Sequence, residues 1–252
     1  MRHKIGRYGW IPDLPDARDR VFKVARRAGA LPTSVDLRAI CPPVYDQGEL
    51  GSCTANAIAA AVEFDQRKEK LAEFQPSRLF IYYNERAIEG TIATDAGAMI
   101  RNGIKSVAGD GVCSEAMRPY DEQKFADRPG APCYRAAKTH PAVEYSRVAQ
   151  DMGDLKACLA AGYPFVFGFT VYESFESDAV AHSGVAGMPG SSETALGGHA
   201  VMAAGYDDAS QRFLIRNSWG TDWGMGGYFT LPYEYVANGD LADDFWTIRV
   251  VR

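Results

Sequence analysis

No stretch of the 252-residue chain approaches the roughly 18 consecutive apolar residues that a membrane-crossing helix needs, so a spanning segment is not expected. The N-terminus, MRHKIGRYGWIPDLPDARDR, is charged but never enters an apolar run, and so does not read as a secretory signal. The compartment stays open: cytoplasmic on this reading, secreted had a signal been removed. Positive charge is also short, with 27 Lys plus Arg against 32 Asp plus Glu; a formal net charge of -5 offers no field to attract nucleic acid or an anionic membrane.

Cysteine is sparse. Cys41, Cys53, Cys113, Cys133 and Cys158 are too few for a disulfide scaffold and lack the close pairing of a metal site. Four of them could be bridged in three ways, and the sequence does not choose; all five reduced is the expectation. The four histidines, His3, His140, His182 and His199, make no H-E-x-x-H or helical pair, and there is no G-x-x-x-x-G-K-[ST] loop, so neither metal nor organic cofactor is expected. GDGVC and GMGG read as simple turns. What remains is a peptide or other small organic substrate and, with nothing calling for a second copy, a monomer.

With 46% hydrophobic and 23% charged residues the chain can bury a sizeable core. Residues 1–31 stand apart: Pro12, Pro15 and alternating charges break any hydrophobic period, giving either a plain surface arm or, because Gly9, Trp10 and Ile11 need burial, an arm laid across the body. Ala55, Ile58, Ala59 and Val62 then recur at helical spacing, predicting a helix from about Cys53 with Ser52 as its cap. SRLFIYYNERAIE and residues 97–107 predict two more. After a helical DLKACLAAG, the runs PFVFGFTVY, HAVMAAGYD, RFLIRNSW, GYFTLPYEYV and FWTIRVVR read as strands. A helical first part and a strand-rich second part make an α+β pattern, and the cleft between them is a favoured place for a site.

Three distant segments concentrate chemistry: QGELGSC, GGHAV and NSWG. A cysteine in the first turn of a helix faces unpaired N–H groups that favour its thiolate. Taken alone, Cys53 is more often a small buried hydrophobe, and His199 a core histidine. Together they make a nucleophile and a base that can later protonate a leaving amine. Asn217 could fix the tautomer of His199, and Trp219 could shield that bond from water, although each also fits an ordinary loop or core position. Gln47, six residues before Cys53, could donate to an oxyanion beside the Cys53 N–H.

These residues resemble the papain-like cysteine peptidases over about residues 32–252. QGELGSC resembles their glutamine-to-cysteine block, GGHAV their histidine block, and NSWGTDWGMGGYFTL their asparagine block almost throughout. The resemblance implies a two-lobe α+β fold, with a helical lobe over about 32–135 and an antiparallel, β-barrel-like lobe over about 136–252. It implies Cys53 as nucleophile, His199 as acid/base, Asn217 as orienter and Gln47 as oxyanion donor. Asp95, Ala96 and Gly97 fall where the family's peptide-pairing loop lies. The apolar pocket for the residue two before the scissile bond would include parts of the segment from Phe167 to Phe169, and Gly198. LPTSVDLR looks like the start of a mature catalytic domain, and GVCSEAMRPY like a glycine, glutamate and proline-tyrosine segment. Leu50 and Thr54 depart from the usual pattern around the nucleophile, so one common disulfide cannot form.

The implied function is a cysteine-type endopeptidase acting through an acyl-enzyme. Residues 1–31 are far shorter than the family's long helical prosegment and depart from it, but Trp10, the prolines and the place just before LPTSVDLR point to an abbreviated prosegment packed along or across the cleft, with RRAG as an exposed processing point. A transpeptidase or ligase would use the same residues, and amine nucleophiles would reveal it. A catalytically silent papain-like binding protein would be free to lose the four site residues, all of which are present.

Overall fold

The computed structural model describes residues 8–23, 30–139 and 142–251. The first body segment, β1 (Ser34–Asp36), leads through a turn-rich loop into α1 (Cys53–Lys68), which is buried from Cys53 to Gln66. Its run of alanines lets neighbours approach the helix axis closely, and α2 (Arg78–Glu89), α3 (Ile100–Asp110) and the sheet all pack on it. α2 starts where Ser77 Oγ accepts the Phe80 N–H at 3.1 Å and stops at Gly90, whose φ of 73° suits the left-handed residue that ends a helix. A short α4 (Ala131–Ala137) completes the helical part.

The remaining chain forms β2 (Ala142–Arg147), α5 (Met152–Ala160), β3 (Phe165–Tyr172), α6 (Asp178–Ser183), β4 (Ala195–Asp207), β5 (Arg212–Arg216), β6 (Tyr228–Pro232), α7 (Tyr233–Ala237) and β7 (Ala242–Val251). Among the described residues the strands join one seven-stranded antiparallel sheet in the order β2-β7-β3-β4-β5-β6, with β1 paired to β4. The expected barrel-like lobe is therefore an open sheet, with β2 and β6 at its two ends.

Strand alternation divides the interior in two. Val166 on β3, Ala200, Met202 and Ala204 on β4, and Trp246 and Ile248 on β7 face α1 to α3. Phe165, Phe167, Phe169, Val201, Ala203 and Phe245 face the opposite core, under α5 and α7. The N-terminal end of α1 therefore meets the middle of β4, where Ala200 and His199 project to opposite faces.

Candidate active site

Cys53 opens α1 and is fully buried. Its Sγ accepts the Ala200 N–H at 3.3 Å from across the cleft, and the backbone N–H groups of Gly9 and Thr54 are near enough to favour its charged form. Ser52 stands at the N-cap position, where its carbonyl accepts the Asn56 N–H at 3.0 Å, but its side chain makes no capping bond. Its Oγ lies 2.6 Å from Tyr120 Oη and accepts from Asn56 Nδ2 at 3.1 Å, so the helix end is held from outside.

His199 and Asn217 meet through a 2.8 Å bond between Nε2 and Oδ1. The Ser218 backbone N–H, which can only donate, also points at Asn217 Oδ1 at 2.8 Å. That fixes the amide orientation, so Nε2 must carry the proton and a neutral ring keeps its lone pair on Nδ1. Among the described residues Nδ1 is buried without a hydrogen-bond partner, and Cys53 Sγ accepts the Ala200 N–H instead. Trp219 lies over the imidazole with centroids 4.8 Å apart, and Phe169 meets it edge-on at 5.8 Å.

Gln47 is buried on the sulfur side. Its Nε2 donates to Leu50 O at 2.8 Å, its Oε1 accepts from Ser218 Oγ at 2.6 Å, and its N–H donates to Ser218 O at 2.9 Å. The side chain thus ties the cysteine and asparagine segments together in the covered cleft.

The cover is the chain's own arm. Trp10 N donates to Gly198 O at 2.9 Å, Ala98 N to Gly9 O at 2.8 Å and Ile11 N to Ala98 O at 3.0 Å, a parallel bridge centred on Trp10 and Ala98. The Trp10 ring occupies the space that a Cβ on Gly168 or Gly198 would fill, and its Nε1 donates to buried Asp244 Oδ2 at 3.0 Å. Tyr8 brings its ring to 6.1 Å from His199 and 6.4 Å from Trp219, and its hydroxyl donates to Glu176.

Enclosure governs the electrostatics. Burial pushes the Cys53 thiol up to about 12, with the Glu85 charge adding to the rise, although the Ala200, Gly9 and Thr54 N–H groups oppose it. Burial likewise pushes His199 down to about 4, against the Asn217 bond. With the arm in place the pair is held as thiol and neutral imidazole; desolvation outweighs the helix-end N–H groups that favoured a thiolate in the sequence reading.

The substrate-binding expectations need three adjustments. Phe167 and Phe169 do not line the cleft: alternation turns both into the opposite core and leaves Gly168, between them, facing Trp10. The pairing backbone belongs to Ala98, one residue beyond the expected Asp95, Ala96 and Gly97. Asp95 is structural, accepting the Gly51 N–H at 3.1 Å, while Gly97, at φ 76°, leaves room for Gly9. Gly198 meets Trp10 through its carbonyl and its open Cα. Arg26, Arg27, Ala28 and Gly29, the expected processing point, lie outside the described residues. Asp244 was not singled out from sequence because nothing in DLADDFW separates a cleft residue from a surface acid.

The papain family cysteine protease profile matches residues 31–244. An uncharacterized peptidase C1-like protein of Acanthamoeba polyphaga mimivirus is 43% identical, over 97% of this chain and 87% of its own length. Cathepsin B-like CP3 of Giardia intestinalis is 32% identical over 79% of this chain and 69% of its own. Among solved structures, xylellain, a cysteine protease from Xylella fastidiosa, superposes with a TM-score of 0.91 at 48% identity, covering 100% of this chain and 99% of that one. Digestive procathepsin L 3 of Tenebrio molitor, at 19% identity and a TM-score of 0.72 over 98% of this chain and 77% of that one, shares the fold.

Proposed function

The chain belongs to the papain family of cysteine proteases and is a cysteine peptidase; on that premise we propose that it is an endopeptidase with Cys53 as nucleophile and its own arm as inhibitor. His199 Nδ1 takes the Cys53 proton as sulfur attacks the peptide carbonyl carbon. The tetrahedral oxyanion is received by the Cys53 N–H and by Gln47 Nε2, turned from Leu50 O. His199 then protonates the leaving amine, and the acyl-thioester is hydrolysed by a water that gives a proton back to the same nitrogen. Asn217 keeps the ring in the tautomer this requires. The observation that carries the assignment is the Ser218 N–H on Asn217 Oδ1, which leaves His199 Nδ1 as the buried, unpartnered base.

The backbone supports reading the arm as an inhibitor rather than a substrate. Gly9 turns its N–H to the sulfur, and in a trans peptide the Tyr8 carbonyl then points away from it. The Gly9 carbonyl is taken by Ala98. Neither carbonyl is placed for attack, and the enclosure that the arm creates disfavours the thiolate.

Titration with a thiol-directed, peptide-like inhibitor tests the nucleophile: wild type should be labelled with proportional loss of hydrolysis, and Cys53→Ala should not be labelled. Labelling or hydrolysis retained by Cys53→Ala overturns the assignment. Separately, peptide hydrolysis should rise in Trp10→Ala and in a chain starting at Leu31. Unchanged rates in both remove the arm from the mechanism while leaving the nucleophile in place.

A further inference from the structure

The proline-tyrosine segment of GVCSEAMRPY has no part in the chemistry described so far, yet it reaches the site. Tyr120 Oη donates to the backbone carbonyl of Gln47 at 2.7 Å and lies 2.6 Å from Ser52 Oγ, the residue before Cys53. One hydroxyl therefore spans the two strands of chain that carry the proposed oxyanion donors.

The bond directions in this cluster follow from an obligate donor at one end, Arg78, and an obligate acceptor at the other, the Gln47 carbonyl. Arg78 Nη1 can only donate, so the Asn56 atom 3.2 Å away is Oδ1. Asn56 Nδ2 then faces Ser52 Oγ at 3.1 Å and donates to it. Ser52 Oγ passes its own hydrogen to Tyr120 Oη, which gives its hydrogen to Gln47 O. The guanidinium that starts the relay is clamped by Glu115 through Nη2 at 2.6 Å and Nε at 3.2 Å, and lies over the Tyr120 ring at 4.0 Å. Arg78 Nη1 also donates to Asp46 O at 2.9 Å. The carbonyls on both sides of the Gln47 N–Cα–C unit are thus held, Asp46 O by Arg78 and Gln47 O by Tyr120.

We infer that Tyr120 is a positioning residue for the oxyanion site: its hydroxyl sets the separation between the Gln47 backbone and the N-terminal end of α1, and through them the two donors that must converge on one oxygen. The inference rests on the reading of Gln47 and the Cys53 N–H as those donors. Convergence is a matter of fractions of an ångström, because donors must meet the oxygen where it sits in the transition state.

The test uses the full chain carrying Trp10→Ala, so that the arm does not mask turnover. Tyr120→Phe should lower kcat about 10-fold, less than the roughly 100- to 1,000-fold cost of deleting a donor outright, with KM little changed. Alkylation of Cys53 by iodoacetamide, which attacks a tetrahedral carbon and forms no oxyanion, should keep its rate. Adding Tyr120→Phe to Gln47→Ala should cost little beyond Gln47→Ala alone, because the residues act as a unit. Ser52→Ala, which cuts the relay on the other side of Tyr120, should reproduce the kcat loss with alkylation unchanged, and serves should Tyr120→Phe fold poorly. The inference is overturned by equal slowing of alkylation and hydrolysis, by full additivity with Gln47→Ala, or by unchanged kcat in both Tyr120→Phe and Ser52→Ala. A Gln47→Ala variant with normal kcat would instead refute the donor reading, and the inference with it.

Discussion

On the sulfur side of the cleft, position is set by directional bonds: a carboxylate-clamped guanidinium, an amide, two hydroxyls and two backbone carbonyls in a single relay. On the imidazole side it is set largely by rings. His199 has Trp219, Phe169 and Tyr8 around it, with one hydrogen bond to orient it. The arm repeats the division, placing the Gly9 backbone against Gly51 and Cys53 and the Tyr8 ring against His199 and Trp219. The difference has a physical basis. A donor array must be fixed in angle as well as distance, which polar networks do; a proton carrier must be kept dry and upright, for which packed rings suffice. The sulfur side should therefore be sensitive to single atoms and the imidazole side to volume.

The strongest challenge to that contrast is Arg78→Met. It leaves Glu115, whose side chain is only 14% exposed, with the Arg78 backbone N–H but without its countercharge, and unfolding by denaturant should show a loss of about 3 kcal/mol; a loss under about 1 kcal/mol would mean that the ion pair does not hold this side. Trp219→Ala comes next, with about 3 kcal/mol lost and hydrolysis slowed about tenfold as water reaches the His199–Asn217 bond. Trp219→Phe should restore most of both, since among the described residues Trp219 Nε1 has no hydrogen-bond partner to lose. A phenylalanine variant as damaging as alanine would contradict control by volume.

Gly9→Ala tests the arm's hold on the sulfur side. A Cβ there would stand 1.7 Å from Gly51 O, a backbone atom that cannot step aside, so the full chain should hydrolyse peptides within about twofold of a chain starting at Leu31. The smallest effect is in pH. Asp13 N donates to Asp244 Oδ2 at 2.7 Å, and the Asp13 carboxyl accepts from Trp246 Nε1 at 2.9 Å and Arg101 N at 3.1 Å. Burial, then the Asp244 charge, raises Asp13 from 3.8 to about 7, against the pull of Arg101. Burial also raises Asp244, with Asp243 adding to it and Arg147 opposing. Asp19, paired to Arg101 at 2.5 Å, is the arm's other acid here.

A pKa raised in the docked state means that docking takes up a proton. Its contribution is complete below 3.8 and is lost as pH climbs through about 7. The wild-type rate, divided by that of Asp13→Asn, should therefore rise several-fold from pH 5 to pH 8; a flat or falling ratio would exclude this pair as a latch.

Much of the site was legible because its chemistry fixes residue type: few arrangements besides a peptidase site need Cys53, His199 and Asn217 in such blocks. The helices and strands followed from hydrophobic period. Face assignment was harder. FVFGF reads as an apolar run, and only pairing with β4 reveals that Gly168, not its two phenylalanines, fronts the cleft. Trp10 announced that it needed burial but not where, since nothing local ties it to Asp244, 234 positions away. Tyr120 carried a signal in its proline-tyrosine context, but its partners at Gln47 and Ser52 depend on long-range folding.

The arm is covalently continuous with the body it covers, so its local concentration at the cleft does not depend on how much protein is present. Dilution cannot relieve it, and a separate peptide of the same sequence would bind far less effectively. A single cut between Lys23 and Ala30 changes the order of the reaction: a unimolecular closure becomes a bimolecular association, and cleavage once made is enforced by volume alone.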